Sequence, residues 1–171
     1  MDLKRFIRDV PDFPQPGVIF RDITPLLRDA TALHHVMDRF YEIYKDEAID
    51  AIAAIESRGF IFGAPLADRL GVGFVPVRKP GKLPAARMTI EYSLEYGTSQ
   101  LDIHQDALRP GHRVVVVDDL LATGGTAAAT AKLVELIGGQ VHSFLFLVEL
   151  EYLGGRARLE PYRIERLLSY E

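Results

Sequence analysis

The chain contains no cysteine, which excludes disulfides and thiolate metal centres. No stretch approaches the roughly 20 apolar residues that a membrane span requires. Met1-Asp-Leu-Lys-Arg-Phe-Ile-Arg8 is charged throughout and lacks the apolar core of a signal peptide. Together these absences fit a reducing, cytoplasmic setting. Net positive charge is missing too: the formal charge is -4, which argues against a general nucleic-acid or membrane-surface role. The five histidines, at 34, 35, 104, 112 and 142, keep no metal-ligand spacing. No Gly-x-Ser-x-Gly elbow occurs, so nucleophilic hydrolysis has no candidate. Gly81-Lys82 is followed by Leu83 rather than Ser or Thr, and Gly71-Val-Gly73 has no third glycine at the dinucleotide spacing. A P-loop and a dinucleotide fingerprint are thereby set aside. Repeats, low-complexity tracts and linkers are also lacking, and 171 residues suit one core rather than two.

What is present centres on Val114-Val-Val-Val-Asp-Asp-Leu-Leu-Ala-Thr-Gly-Gly-Thr126. Four valines read as a strand buried on both faces, as in a parallel sheet covered by helices. The strand is expected to end in the carboxylates Asp118 and Asp119. Ala122, Thr123, Gly124, Gly125 and Thr126 then lead into Ala127–Ile137, a strong helix former by composition. Glycines let backbone N–H groups turn towards an anion, threonine hydroxyls add donors, and the helix start adds partial positive charge. A phosphate cradle beside two carboxylates suits a ligand carrying a phosphate and vicinal hydroxyls, such as a ribose 5-phosphate.

Around this unit the pattern is that of an α/β domain. Leu33, Val36, Met37, Phe40 and Tyr44 keep helical spacing, capped by Asp29 or Thr31. Ala51–Ile55 reads as a buried strand, 60–70 as a helix ending at Gly71, and Gly73–Val77 as a strand whose Pro76 suggests an edge. Residues 88–94 and 101–103 form an expected hairpin turning through Tyr96-Gly97-Thr98, and Val141–Val148 a further strand. Val10–Gly17, with three prolines, is expected to be an irregular, stiff arm. The expected architecture is a single domain over 1–171: a central, mainly parallel sheet flanked by helices, a small hood over 1–32, and a flexible loop and hairpin over 79–100. Ligands on such sheets bind at the carboxyl ends of strands, where Glu56-Ser57-Arg58-Gly59, Asp118-Asp119 and Glu149-Leu150 all fall. Arg78, Lys79, Lys82 and Arg87 crowd into ten positions of an otherwise acidic chain. Taken alone, such a run also reads as a solvated face.

The segment from Val114 to Thr126 closely resembles the signature of the type I phosphoribosyltransferases, which bind 5-phosphoribosyl-1-pyrophosphate (PRPP). Phe13–Leu27, Ser93-Leu-Glu-Tyr-Gly97 and Leu147-Val-Glu-Leu150 narrow the resemblance, which covers nearly the whole chain, to the adenine-using branch. The resemblance implies that Asp118 and Asp119 face the ribose hydroxyls and that Ala122, Thr123, Gly124, Gly125 and Thr126 hold the 5-phosphate. Glu56, Ser57 and Arg58 would grip pyrophosphate, with Arg78, Lys79 and Lys82 adding charge, in a homodimer onto the neighbouring subunit's pyrophosphate. Phe20 and Leu150 would sandwich adenine, while main-chain groups around Val18 and Arg21 read its edge. Glu95 and Tyr96 would close over the site, Glu95 near purine N7 and Tyr96 bracing the closed loop. Mg2+ would arrive on the pyrophosphate of PRPP, with no dedicated protein cage. The implied reaction is adenine plus PRPP giving AMP and pyrophosphate. Alternatives are a transferase for another base and a non-catalytic PRPP-sensing regulator.

Overall fold

The computed structural model describes residues 1–94 and 96–171. Its centre is a five-stranded sheet of β3 (Ala51–Ile55), β4 (Gly73–Val77), β7 (Arg113–Leu121), β8 (Gln140–Leu150) and β9 (Arg163–Tyr170), in the order β4-β3-β7-β8-β9. Every neighbouring pair in this sheet is parallel. Parallel strands need covered crossovers, and the sequence supplies them as α3 (Arg58–Leu70) and α4 (Gly125–Leu136). Alternate side chains therefore enter two separate cores. Ile52, Ala54, Val115, Val117, Leu145 and Leu147 pack under α2 (Ala30–Tyr44) and α3, where Val36, Phe40, Phe62 and Leu66 are buried. Ala53, Ile55, Val114, Val116, Phe144 and Phe146 pack under α4, against Leu133 and Val134. A strand covered on both faces has no polar side to show, which is why the valine run is unbroken.

Local signals locate several boundaries. The Asp29 side chain accepts from the Ala32 N–H at 2.9 Å, so Asp29 rather than Thr31 caps α2. Gly71 ends α3 in the left-handed conformation. Pro76 lies on β4, an outer strand of the sheet, where a missing N–H costs no ladder bond.

Three expectations need correction. The strand with the acid pair does not end there: β7 runs on to Leu121, so Asp118 and Asp119 are strand residues projecting to opposite sides. The N-terminal arm is not irregular throughout, because β1 (Arg8–Pro11) pairs antiparallel with β2 (Ile19–Asp22), Val10 opposite Phe20. Main-chain pairing on one side leaves Pro11 free of a required N–H. The hairpin is longer than expected, β5 (Arg87–Ser93) pairing with β6 (Thr98–His104). Leu94 N–H donates to Gly97 O at 2.9 Å, and Gly97 has φ +85°. Short α1 (Thr24–Arg28) joins the hood to α2. No helix among the described residues is long and apolar enough to cross a membrane.

Candidate active site

Two cavities open at the carboxyl ends of the parallel strands. The first, about 100 Å³, is lined by Asp118, Leu120 to Ala127 and Phe146. It is built by the turn from β7 into α4. Gly124 takes φ +84°, no side chain caps the helix, and the first N–H groups of α4 are left for a ligand. Thr126 is held at both ends: its hydroxyl lies 3.2 Å from the Tyr92 hydroxyl, and its carbonyl accepts from Thr130 Oγ1 at 2.9 Å. The expected phosphate residues 122–126 all line this cavity.

The second cavity, about 270 Å³, is lined by Glu56, Ser57, Arg58, Lys79, Asp118 and Asp119. Asp118 lines both, so the two spaces adjoin at one residue. The loop after β3 carries a cis peptide between Glu56 and Ser57. Glu56 Oε1 accepts from Lys79 N–H at 2.7 Å and from Arg78 Nε at 3.2 Å, tying the loop after β3 to the loop after β4. Arg58 Nε donates to Asp119 Oδ2 at 2.5 Å. Burial works against the Arg58 charge, yet the hydrogen bond and charge of Asp119 outweigh it, so the guanidinium pKa is raised. Burial, and then the charge of Asp119, push the Asp118 carboxyl well above the usual carboxylate range. Its Oδ1 accepts from the Asp119 N–H at 2.8 Å.

Among the described residues no group of three or more His, Cys, Asp or Glu side chains converges in a way that could hold a metal. One oxygen of each nearby carboxylate is already engaged, Asp119 Oδ2 by Arg58 and Glu56 Oε1 by the Arg78–Lys79 loop. The cavity thus offers cations and scattered oxygens to an anion.

On the side of the N-terminal hairpin, Phe20 of β2 meets Phe13 edge-on at 5.2 Å between centroids, and the Arg58 guanidinium sits 5.8 Å from its ring. Arg58 therefore links the hood to Asp119. Arg21 pairs with Asp9 and lies 3.9 Å over the Tyr170 ring, whose strand neighbour is Leu150. Leu150 is buried at the end of β8. The Val18 N–H donates to Gln15 O and its carbonyl accepts from Phe13 N–H, so the turn uses both.

Not every expected residue gathers here. Lys82 is exposed and lines neither cavity, and Tyr96 is 81% exposed and likewise stands apart. Glu95 lies outside the described residues. The basic run is divided between partners, Arg78 to Glu56 and Arg87 to the buried Asp102 at 3.3 Å.

Two features escaped the sequence reading: the arginine partners of Glu149 and the position of Gly155. Glu149, 3% exposed at the end of β8, is chelated by Arg156 at 2.9 and 2.6 Å and receives Arg166 Nε at 2.6 Å. Gly155 lies directly against the phosphate turn. The Gly154-Gly155 pair was the available signal for the second; nothing local announced the first.

Comparison with known proteins agrees with this geometry. The phosphoribosyl transferase domain family matches residues 24–159. An adenine phosphoribosyltransferase of a Cyanothece species is 58% identical over 170 residues, covering 99% of this chain and all of the relative, 100%. The crystal structure of adenine phosphoribosyltransferase from Thermoanaerobacter pseudethanolicus superposes with TM-score 0.96 at 56% identity, covering 99% and 98% of the two chains. The Saccharomyces cerevisiae enzyme, solved with adenine and an imino-altritol bisphosphate, gives TM-score 0.91 at 39% identity, covering 96% of each.

Proposed function

Since the chain belongs to the phosphoribosyl transferase family, and its full-length relatives are adenine phosphoribosyltransferases, we propose that it joins adenine to PRPP, releasing AMP and pyrophosphate in purine salvage. One observation carries this reading: a phosphate-sized cradle and a cation-bearing cavity adjoin and share one lining residue, Asp118. A ligand with a phosphate at one end of a ribose and pyrophosphate at the other spans both.

In this reading the N–H groups of residues 122–126 hold the 5-phosphate, and Asp118 and Asp119 face the ribose hydroxyls. Adenine N9 supplies the electron pair of the new bond to C1′. The bond from C1′ to pyrophosphate oxygen breaks, and pyrophosphate leaves with the electrons of that broken bond. The proton the base loses passes to Glu95 near purine N7. Positive charge grows on the sugar as negative charge grows on the leaving group, so fixed charges on either side lower the barrier. Arg58, Lys79 and the Glu56-Ser57 loop line the leaving-group side. Arg78 adds to it through Glu56, and Lys82 reaches it when the 79–100 segment closes. Mg2+ enters as part of the PRPP substrate and neutralises pyrophosphate. Phe20 and Leu150 flank the base, with Val18 and Arg21 at its edge. Glu95 and Tyr96 complete the closed site, where exclusion of water prevents hydrolysis of the activated sugar. The same proposal takes residues 1–171 as one working domain, a homodimer in the cytoplasm.

The test is pyrophosphate release from PRPP and Mg2+ with adenine, hypoxanthine, guanine, xanthine and orotate supplied separately. Release with adenine alone, AMP being the product, is expected. Turnover with another base instead overturns the base assignment, and tight PRPP binding without turnover makes the chain a regulator.

A further inference from the structure

The turn that forms the phosphate cradle has little holding it from within. No side chain caps α4, and Gly124 is left-handed. Its support comes from outside, from the 3-10 segment that follows β8. A Cβ placed on Gly155 would lie 2.3 Å from Ala122 O and 3.1 Å from Gly124 N. A Cβ on Gly124 would lie 2.5 Å from Gly155 O. Two stretches of backbone are thus in bare contact, and neither leaves room for a methyl group.

Gly155 is itself fixed. Gly154 N–H donates to Glu151 O at 3.0 Å, and Ala157 N–H to Gly154 O at 3.2 Å. The next residue, Arg156, grips Glu149 with two hydrogen bonds. Arg166 of β9 holds the same carboxylate and reaches Glu151 at 2.8 Å. The hydrogen bond from Arg156, helped by Arg166, keeps the Glu149 carboxyl below the usual range, so it stays ionised and paired. The back of the cradle is therefore clamped to the end of β8 and the middle of β9.

We propose that Gly155, held by the Glu149–Arg156 clamp, is a positioning residue that sets the shape of the 5-phosphate turn and hence the affinity for the phosphate end of the sugar substrate. The inference rests on the phosphoribosyl reading. Donors displaced by a fraction of an ångström lose alignment with the phosphate oxygens, while the pyrophosphate cavity shares only Asp118 with the turn.

Calorimetric titration of the whole protein with ribose 5-phosphate, and separately with magnesium pyrophosphate, tests it. Gly155→Ala is expected to weaken ribose 5-phosphate about tenfold to a hundredfold, with pyrophosphate affinity kept, and to raise the PRPP KM more than it lowers kcat. A folded Gly155→Ala protein that binds ribose 5-phosphate as the parent does overturns the inference. Should that variant fail to fold, Arg156→Met opens the clamp without touching the contact. Selective loss of ribose 5-phosphate affinity is again expected, and loss of neither ligand or of both equally overturns it. A parent protein that binds no ribose 5-phosphate refutes the phosphoribosyl reading instead.

Discussion

Arg58 and Asp119, 61 positions apart in sequence, meet in a 2.5 Å hydrogen bond at the mouth of the larger cavity. The carboxylate is buried and the guanidinium half-exposed, so the pair presents its positive partner outward, towards an arriving anion, while the same guanidinium approaches the Phe20 ring. One ion pair thus connects the end of β7, the larger cavity and the ring of Phe20.

Replacing Arg58 by Met leaves Asp119 buried without its partner. Losing that positive charge beside the proposed leaving group is expected to cost about 2 kcal/mol of transition-state stabilisation, or about 30-fold in kcat/KM for PRPP. Steady-state kinetics with PRPP varied checks it; parental kcat/KM removes Arg58 from the site. Asp119→Asn is expected to cripple turnover with the fold intact.

Asp118 carries a stability cost. Its carboxyl has a folded-state pKa above the ordinary 3.8, so the folded protein holds the proton more tightly than the unfolded chain. Stability is then lost as pH rises from 3.8 through the folded pKa. Asp118→Asn should melt higher than the parent at neutral pH and converge with it below pH 3.8, while losing activity. About 1 kcal/mol corresponds to ~2–4 °C in a chain of this length. Thermal melts across pH measure it, and a variant melting lower at neutral pH contradicts the assignment.

Phe20 tests the base side. Phe20→Ala removes a ring that Phe13 and Arg58 hold in place. The adenine KM is expected to rise about tenfold or more, with the PRPP KM within about twofold. Equal change in both constants would show that the hood had shifted as a whole.

At the other end of the sheet, the buried Tyr44 hydroxyl lies 2.6 Å from Ser143 Oγ, and burial pushes the phenol pKa up. Tyr44→Phe leaves the Ser143 hydroxyl without that partner, costing about 1–3 kcal/mol. A lower melting temperature with unchanged kcat/KM is the expected result, because the pair is far along β8 from Glu149 and Leu150.

Much of this was legible in the residues. Strands β3 and β4, the helix between them and the phosphate turn follow from apolar runs, Gly71 and Pro76, because each signal is local. Strand β9 was not, since Arg163, Glu165 and Arg166 interrupt its apolar residues. Glu165 pairs with Arg163 on the same strand, while the two arginines also reach Glu47 and Glu149, 116 and 17 positions away respectively. A charge neutralised by a distant partner looks, in sequence, like a surface charge. The Arg58–Asp119 pair shows the same limit: both residues were assigned to the site, but nothing told that they hold each other. Side chains of the hood were named by resemblance, while its ladder, masked by Pro11, was not foreseen.

The bare contact between Gly124 and Gly155 also bears on recombination. The two positions sit in segments separated by α4 and β8, so a crossover anywhere between them draws the halves of one interface from different parents. A chimera keeps a sound junction only if both parents have glycine at both places, with the same spacing from Glu149 to Arg156. Libraries that shuffle this fold should therefore exchange residues 122–126 and 149–156 as a single block.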